Sequence, residues 1–258
     1  MLTRTGRIGV MAAMPEELQA LLDLMPDETA QHRAGRAFWI GHLHGREVVA
    51  VLSRIGKVAA ATTTTVLIEH FGVRQIVFTG VAGGLGDGVR VGDVVVADAL
   101  VQHDMDASPL FPRFELPGTG LSMLRPSADQ TAAVRATVEQ ALAPSALVAG
   151  DTLADVHLDE LGLALPRVHQ GLIVSGDQFV HSAQACAALK QALPSALAVE
   201  MEGAAVAQVC HDFGVPYTVI RTISDRADDQ AHVDFPRFIQ SVARRYSLAM
   251  VDTLLRAQ

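Results

Sequence analysis

Three carboxylates stand where strands hand over to helices or turns: Glu17, Glu202 and Asp225. Glu202 belongs to the stretch LAVEMEGAAVAQVC, Leu197 to Cys210. That stretch opens as a buried strand, places Glu200 and Glu202 on either side of Met201, and takes helical apolar spacing from Ala204. Glu17 follows a first strand and Pro15; Asp225 lies in RTISDRADD, at the end of a late strand. Strand ends on one edge of an α/β sheet converge on a crevice where ligands bind. Three acids there can activate water, protonate a leaving group and stabilise positive charge. That division of labour suits cleavage of a bond to an anomeric carbon through an oxocarbenium-like transition state. Each acid also has a plainer reading. Glu16, Glu17 and Glu202 sit at helix starts, where the dipole favours acids, and Asp225 sits in a polar turn beside Asp228 and Asp229.

The elements that must position these acids alternate between strand and helix. Arg7–Met14 reads as a buried strand, with Pro15 suited to a first helical turn. Arg36–Leu43 and Glu47–Ser53 read as a hairpin turning at His44–Gly45. A helix is expected over Val58–His70. Gly56–Lys57 before it lacks the upstream glycine and the Ser or Thr of a phosphate loop. The strand Gln75–Thr79 runs into the glycine-rich stretch Gly80–Gly88, read as a loop whose backbone turns or approaches a ligand closely. A further strand, Gly92–Ala97, follows it, so the stretch is not a dinucleotide fingerprint. In Gln102–Gly118, Leu110, Phe111, Phe114 and Pro117 need cover from the chain's own core or from a partner subunit. His103, Asp104 and Asp106 nearby lack the further ligands of a metal site. Helices follow near Ala128–Leu142 and Thr152–Leu163. The strand Gly171–Ser175 leads to Phe179 and Val180, and Ser182 caps a helix to about Leu193. The strand Val215–Thr222 and a helix from about Phe235 to Leu255 close the chain. The expectation is one α/β domain, residues 1–258, around a mixed sheet.

Composition narrows the function classes. Half of the 258 residues are apolar, ample for a large core. A net charge of −8 without a basic run argues against a nucleic-acid surface. Cys186 and Cys210 have neither disulfide-scaffold nor metal spacing, a reducing-compartment pattern. The N-terminal apolar run is too short for a signal peptide and no stretch approaches a membrane span. The expectation is a soluble, cytoplasmic protein.

Several blocks together resemble the 5′-methylthioadenosine/S-adenosylhomocysteine nucleosidases of the purine nucleoside phosphorylase-like superfamily. They are IGVMAAMPEEL (Ile8–Leu18), IGKVAAA (Ile55–Ala61), TGVAGGL (Thr79–Leu85), VGDVVVAD (Val91–Asp98), GLIVSGDQFV (Gly171–Val180), AVEMEGAAVAQVC (Ala198–Cys210) and VIRTISDRAD (Val219–Asp228). They run in order over most of the chain and leave residues 119–170 as the weak part. The resemblance implies a three-layer α/β/α fold, an N-glycosidic hydrolase without a cofactor, and a homodimer. It implies Asp225 as general acid to the purine N7, with Ser224 holding its carboxyl. Glu17 would activate water, and Glu202 would bind the ribose hydroxyls and stabilise the ribosyl cation. Met201 and Arg221 would lie at the ribose, Phe179 would stack on adenine, and the Val180 backbone would read the base edge. Val81, Ala82 and Gly83 match substrate-contacting positions, and Phe235 would line the 5′-substituent pocket. Leu110, Phe111 and Pro117 match a segment that a second subunit lends to that pocket.

The related phosphorylases hold a phosphate dianion with an Arg before the glycine loop and a Ser within it. Phe78 and Val81 stand at those places here and cannot bind phosphate, so hydrolysis is favoured. Val81 where a Ser or Thr is usual, and Arg54 where a Gly is usual, leave the 5′-substituent open. The alternatives are a nucleosidase of futalosine or 5′-deoxyadenosine type, a phosphorylase, and an inactive nucleoside-binding protein.

Overall fold

In the computed structural model, residues 6–149, 164–227, 238 and 242–257 are described. The first strand, β1 (Ile8–Ala12), is buried along its whole length. It lies between β4 (Arg46–Leu52) and β5 (Gln75–Gly84), parallel to both. A continuous apolar run is what a parallel strand covered on both faces requires. Side chains alternate between the faces: Val10, Val48 and Ala50 enter one core cluster, and Met11, Val49 and Val51 the other. Helices α2 (Lys57–Glu69) and α6 (Gly203–Phe213) pack together on the Met11 side. On the Val10 side lie α1 (Pro15–Leu22), α3 (Ala128–Ala141) and the last described helix, Arg244–Arg256. The expected three-layer α/β/α arrangement is therefore present.

The remaining elements are β2 (Thr29–Arg33), β3 (Arg36–Leu43), β6 (Val94–Gln102), α4 (Pro144–Ala149), β7 (Val168–Ser175), α5 (Ala183–Ala192), β8 (Ala196–Glu200) and β9 (Tyr217–Asp225). Arg244–Arg256 is thus α7. The nine strands form one mixed sheet in the order β2-β3-β4-β1-β5-β8-β7-β6-β9, and β5 also pairs with β9. The sheet consequently closes on itself. Along most of its length β5 runs parallel to β9, its register shifts at Ala82/Gly83, and Gly83 and Gly84 then pair with Val199 and Ala198 of β8.

This corrects the reading of Gly80–Gly88 as a loop, since its first half is strand. Gly80 and Gly83 serve close approach rather than turning. A Cβ on Gly80 would meet that of Ala13 at 2.6 Å, and one on Gly83 would lie 2.9 Å from Ala227 Cβ. The edge strand β2 escaped the sequence reading because TAQHR is exposed throughout and carries no apolar alternation. The hairpin β3–β4 and the Ser182 cap, which accepts from Ala185 N at 3.2 Å, lie where expected. The expected helix Thr152–Leu163 falls outside the described residues. Among those described, no helix is long and apolar enough to cross a membrane.

Candidate active site

The strand ends enclose a cavity of about 340 Å³. Ala13 and Met14 reach it from the end of β1, Val81–Gly83 from β5, Phe179 and Val180 from beyond β7, Met201 and Glu202 from the β8–α6 corner, and Ser224 and Asp225 from β9. These elements end at one edge of the sheet, the usual place for a ligand in an α/β fold.

Asp225 is held rigidly although it lines the cavity. Ser224 Oγ donates to its Oδ2 at 2.8 Å and Ala227 N donates to its Oδ1 at 2.8 Å. The side chain is buried, so the carboxyl has a fixed direction and little water around it. Ser224 is the residue that the resemblance assigned to this carboxyl.

Glu202 comes from the first residue ahead of α6. Gly56 N, at the amino end of α2, donates to its Oε1 at 2.8 Å, and Lys57 N next to it donates to Asp177 Oδ1 at 2.7 Å. The exposed amides and dipole of a helix start attract carboxylates in this way. Burial, reinforced by the charge of Glu200, pushes the Glu202 pKa up to about 7. It therefore titrates near neutrality.

Glu200 is the residue whose role the sequence reading missed. It is the first acid of its motif, and the sequence pattern gives it no task. Its side chain is sealed from solvent and accepts from Ser175 Oγ, from Glu202 N and Gly203 N, and from Arg221 Nη2 at 2.6 Å. Ser175 Oγ also accepts from Ala204 N at 2.7 Å. Glu200 and Ser175 together satisfy the amides that open α6, which every helix start must have satisfied. Its two-residue spacing from Glu202 was the available signal, because alternate residues at a strand end share a direction.

Arg221 and Glu17 lie one layer behind the cavity wall. The Arg221 guanidinium is fully buried, stacks 4.0 Å from the Phe78 ring centre, and donates to Glu200. Glu17 is buried, accepts from Met14 N at 3.1 Å and takes a hydrogen bond from Ser247 Oγ. Burial raises its pKa to about 6, against the lowering effects of Ser247 and of the Arg221 charge. An acid with that value is ionised at neutral pH and can still accept a proton.

Phe179 is half exposed at the cavity, with His181 stacked at 6.1 Å between ring centres. Its loop springs from Gly176, where a Cβ would collide with the buried His103 ring. Burial holds the His103 pKa below its ordinary value. Arg54 keeps the left-handed backbone that favours glycine, φ +63°, and its guanidinium donates to Gly35 O. Leu110 is 83% exposed, Phe111 is partly covered and Pro117 is exposed. None of the three lines this chain's cavity, whereas Phe114 packs on the chain's own core. Phe235 falls outside the described residues. Among the described residues, no group of three or more His, Cys, Asp or Glu could hold a metal ion.

The family model of the phosphorylase superfamily matches residues 7–256, and the chain belongs to that superfamily. Within it, the solved structures of nucleosidases are similar along the whole chain. The 5′-methylthioadenosine/S-adenosylhomocysteine nucleosidase of Neisseria meningitidis, solved with methylthio-immucillin-A, is 31% identical, with 98% of this chain and 100% of that chain covered and a TM-score of 0.84. The S-adenosylhomocysteine nucleosidase of Streptococcus pyogenes is 32% identical over 100% of this chain and 99% of its own, with a TM-score of 0.81. The futalosine hydrolase of Helicobacter pylori is 33% identical over 98% of both chains, also with a TM-score of 0.81. The resemblance read from the sequence blocks is thereby borne out.

Proposed function

We propose that the protein is a hydrolase of the N-glycosidic bond of 5′-methylthioadenosine, S-adenosylhomocysteine or both, releasing adenine and the 5-thio-substituted ribose. The observation that carries this reading is the pair of acids on one cavity: Asp225 braced by Ser224 and Ala227, and Glu202 held from the start of α2. In this reading Asp225 gives its proton to the purine N7 as the bond from C1′ to N9 breaks and its electron pair passes into the base. Glu202 holds the ribose hydroxyls and offsets the positive charge at C1′. Glu17 takes a proton from the water whose oxygen bonds to C1′. General acid or base catalysis of this kind contributes about 10²–10⁴-fold at each proton transfer.

Water rather than phosphate is favoured as the nucleophile. A phosphate dianion needs cationic or hydroxyl donors. Val81 presents methyl groups to the cavity, Phe78 lies in the core under Arg221, and the Arg221 charge is engaged by Glu200. A second copy of the chain completes the 5′ pocket in this reading, giving cover to Leu110, Phe111 and Pro117. The spacing of the two cysteines, without a disulfide framework, suits the reducing cytoplasm.

The test is adenine release from 5′-methylthioadenosine with and without phosphate, with the sugar product identified. Free methylthioribose independent of phosphate is expected. Methylthioribose 1-phosphate formed only with phosphate would overturn the hydrolase reading. A futalosine-type substrate is the second reading, favoured by the similarity to the Helicobacter pylori futalosine hydrolase. Competition between the two nucleosides for one enzyme separates these readings.

A further inference from the structure

We propose that Ser247, backed by Thr79, is a positioning residue for Glu17, fixing the carboxyl in the orientation from which it takes a proton from water. The proposal rests on the reading of Glu17 as the water-activating base.

The inward side of α7 is otherwise built for packing: Met250, Val251, Leu254 and Leu255 are buried there. Ser247 shares that buried face with only 2% exposure. A hydroxyl in such a place is costly unless it is hydrogen-bonded. Ser247 Oγ donates to Glu17 Oε1 and lies 2.7 Å from Thr79 Oγ1. A serine has one proton to give, and Glu17 receives it. Thr79 is then the donor to Ser247, and the polarity runs from Thr79 through Ser247 to Glu17.

The other carboxyl oxygen, Oε2, accepts from Met14 N. The carboxyl is thus pinned from two sides, by the start of its own helix and by α7, directly behind the Ala13–Met14 part of the cavity wall. Thr79 stands on β5 two residues before Val81–Gly83, which line the cavity next to Ala13, so the relay ties the base to the strand that shapes the cavity. Beside Glu17, Thr79 and Ser247 lies a hollow of about 10 Å³, room for about one water at most.

The packed elements bring one charge to Glu17, that of Arg221 on β9. Strand β1 has no titratable residue, and β4 carries Arg46 and Glu47 at its far start. On α7, Arg244 pairs with Asp23, and Asp252 with His44 and Arg256. On α1, Glu16 is the other acid. Its direct partners are then the backbone donors at Ala13 and Met14 and one side chain, the Ser247 hydroxyl.

The experiment compares wild type with Ser247→Ala, Ser247→Thr and Thr79→Val, measuring kcat and KM for base release across the pH range, with methylthioadenosine and futalosine as the probes. A donor to a carboxylate favours its charged form, so removing it raises the pKa of the base. Ser247→Ala is expected to move the acid limb of kcat up by about one pH unit, lowering kcat about tenfold on that limb, with KM little changed. Thr79→Val moves the same limb less, and Ser247→Thr restores it. An unmoved acid limb in Ser247→Ala, whether kcat is unchanged or falls equally at every pH, overturns the proposal while leaving the nucleosidase reading intact. A wild-type enzyme that releases base from neither probe overturns both.

Discussion

The Arg221 guanidinium and the Glu200 carboxylate meet at 2.6 Å with neither side chain open to solvent. This pair stands between the acids that the proposed chemistry needs. The Glu200 charge pushes the Glu202 pKa upward, and the Arg221 charge draws that of Glu17 downward against its burial. One buried pair therefore helps set the proton affinity of two other carboxyls.

Removing one partner of a buried pair leaves a charge without compensation. Glu200→Gln is expected to cost about 3–5 kcal/mol of stability, seen as a lower midpoint in urea. It also removes a like charge beside Glu202, so the Glu202 pKa falls. A variant with wild-type stability would show that Ser175 and the α6 amides, rather than Arg221, carry the stabilisation.

Asp225→Asn keeps the shape of the side chain and removes the proton it is proposed to give. The expected result is a loss in kcat of about 10²–10⁴-fold, with the affinity for a non-cleavable nucleoside analogue retained. Calorimetric titration beside a turnover assay checks both. Near-normal turnover would remove Asp225 from the role of general acid.

Glu202 gives a stability prediction with a definite sign. Its pKa rises from an ordinary 4.5 to about 7 on folding, so the folded state binds the proton more tightly. Its ionisation then destabilises the fold progressively between about pH 4.5 and 7. Glu202→Gln lacks this effect. It is expected to match wild type near pH 4 and to exceed it by about 3 kcal/mol at pH 8, while losing activity. Thermal midpoints of both proteins across that range provide the measurement, and parallel curves would contradict it.

Gly176 is required by its neighbour rather than by its backbone angle. A methyl group there meets the His103 ring, so Gly176→Ala must displace either His103 or the strand end that leads to Phe179. A cost of about 1–3 kcal/mol is expected from overpacking, with a raised KM for the nucleoside as the Phe179 loop shifts. His103→Ala carries its own cavity cost, but the double variant Gly176→Ala/His103→Ala should recover part of the stability that the two single costs together would remove, because the methyl group enters space the ring vacates. No recovery would locate the strain elsewhere.

Much of the site was legible in the residues themselves. Glu202 and Asp225 follow apolar runs, and those runs become β8 and β9 with the acids at their ends. Ser224 beside Asp225, the Ser182 cap and the hairpin β3–β4 were equally local. Each depends on neighbours within a few positions, where strand and helix periods dictate direction.

The rest depended on chain segments that only the folded topology joins. Glu200 gains its partners from Ser175 and Arg221, and Glu17 meets Ser247 across 230 positions of sequence. No period links such residues, so sequence spacing could neither assign Glu200 a task nor set Glu17 behind the wall. The glycine-rich stretch was ambiguous for the same reason: glycine permits turning and close packing alike, and the approach of Ala13 and Ala227 made it a strand. The sequence by itself determined the acids, their local elements and the apolar runs that build the sheet. Tertiary structure alone decided which acids share a cavity, which stand behind it and how strongly each holds its proton, because burial and distant charges exist only after the sheet has closed.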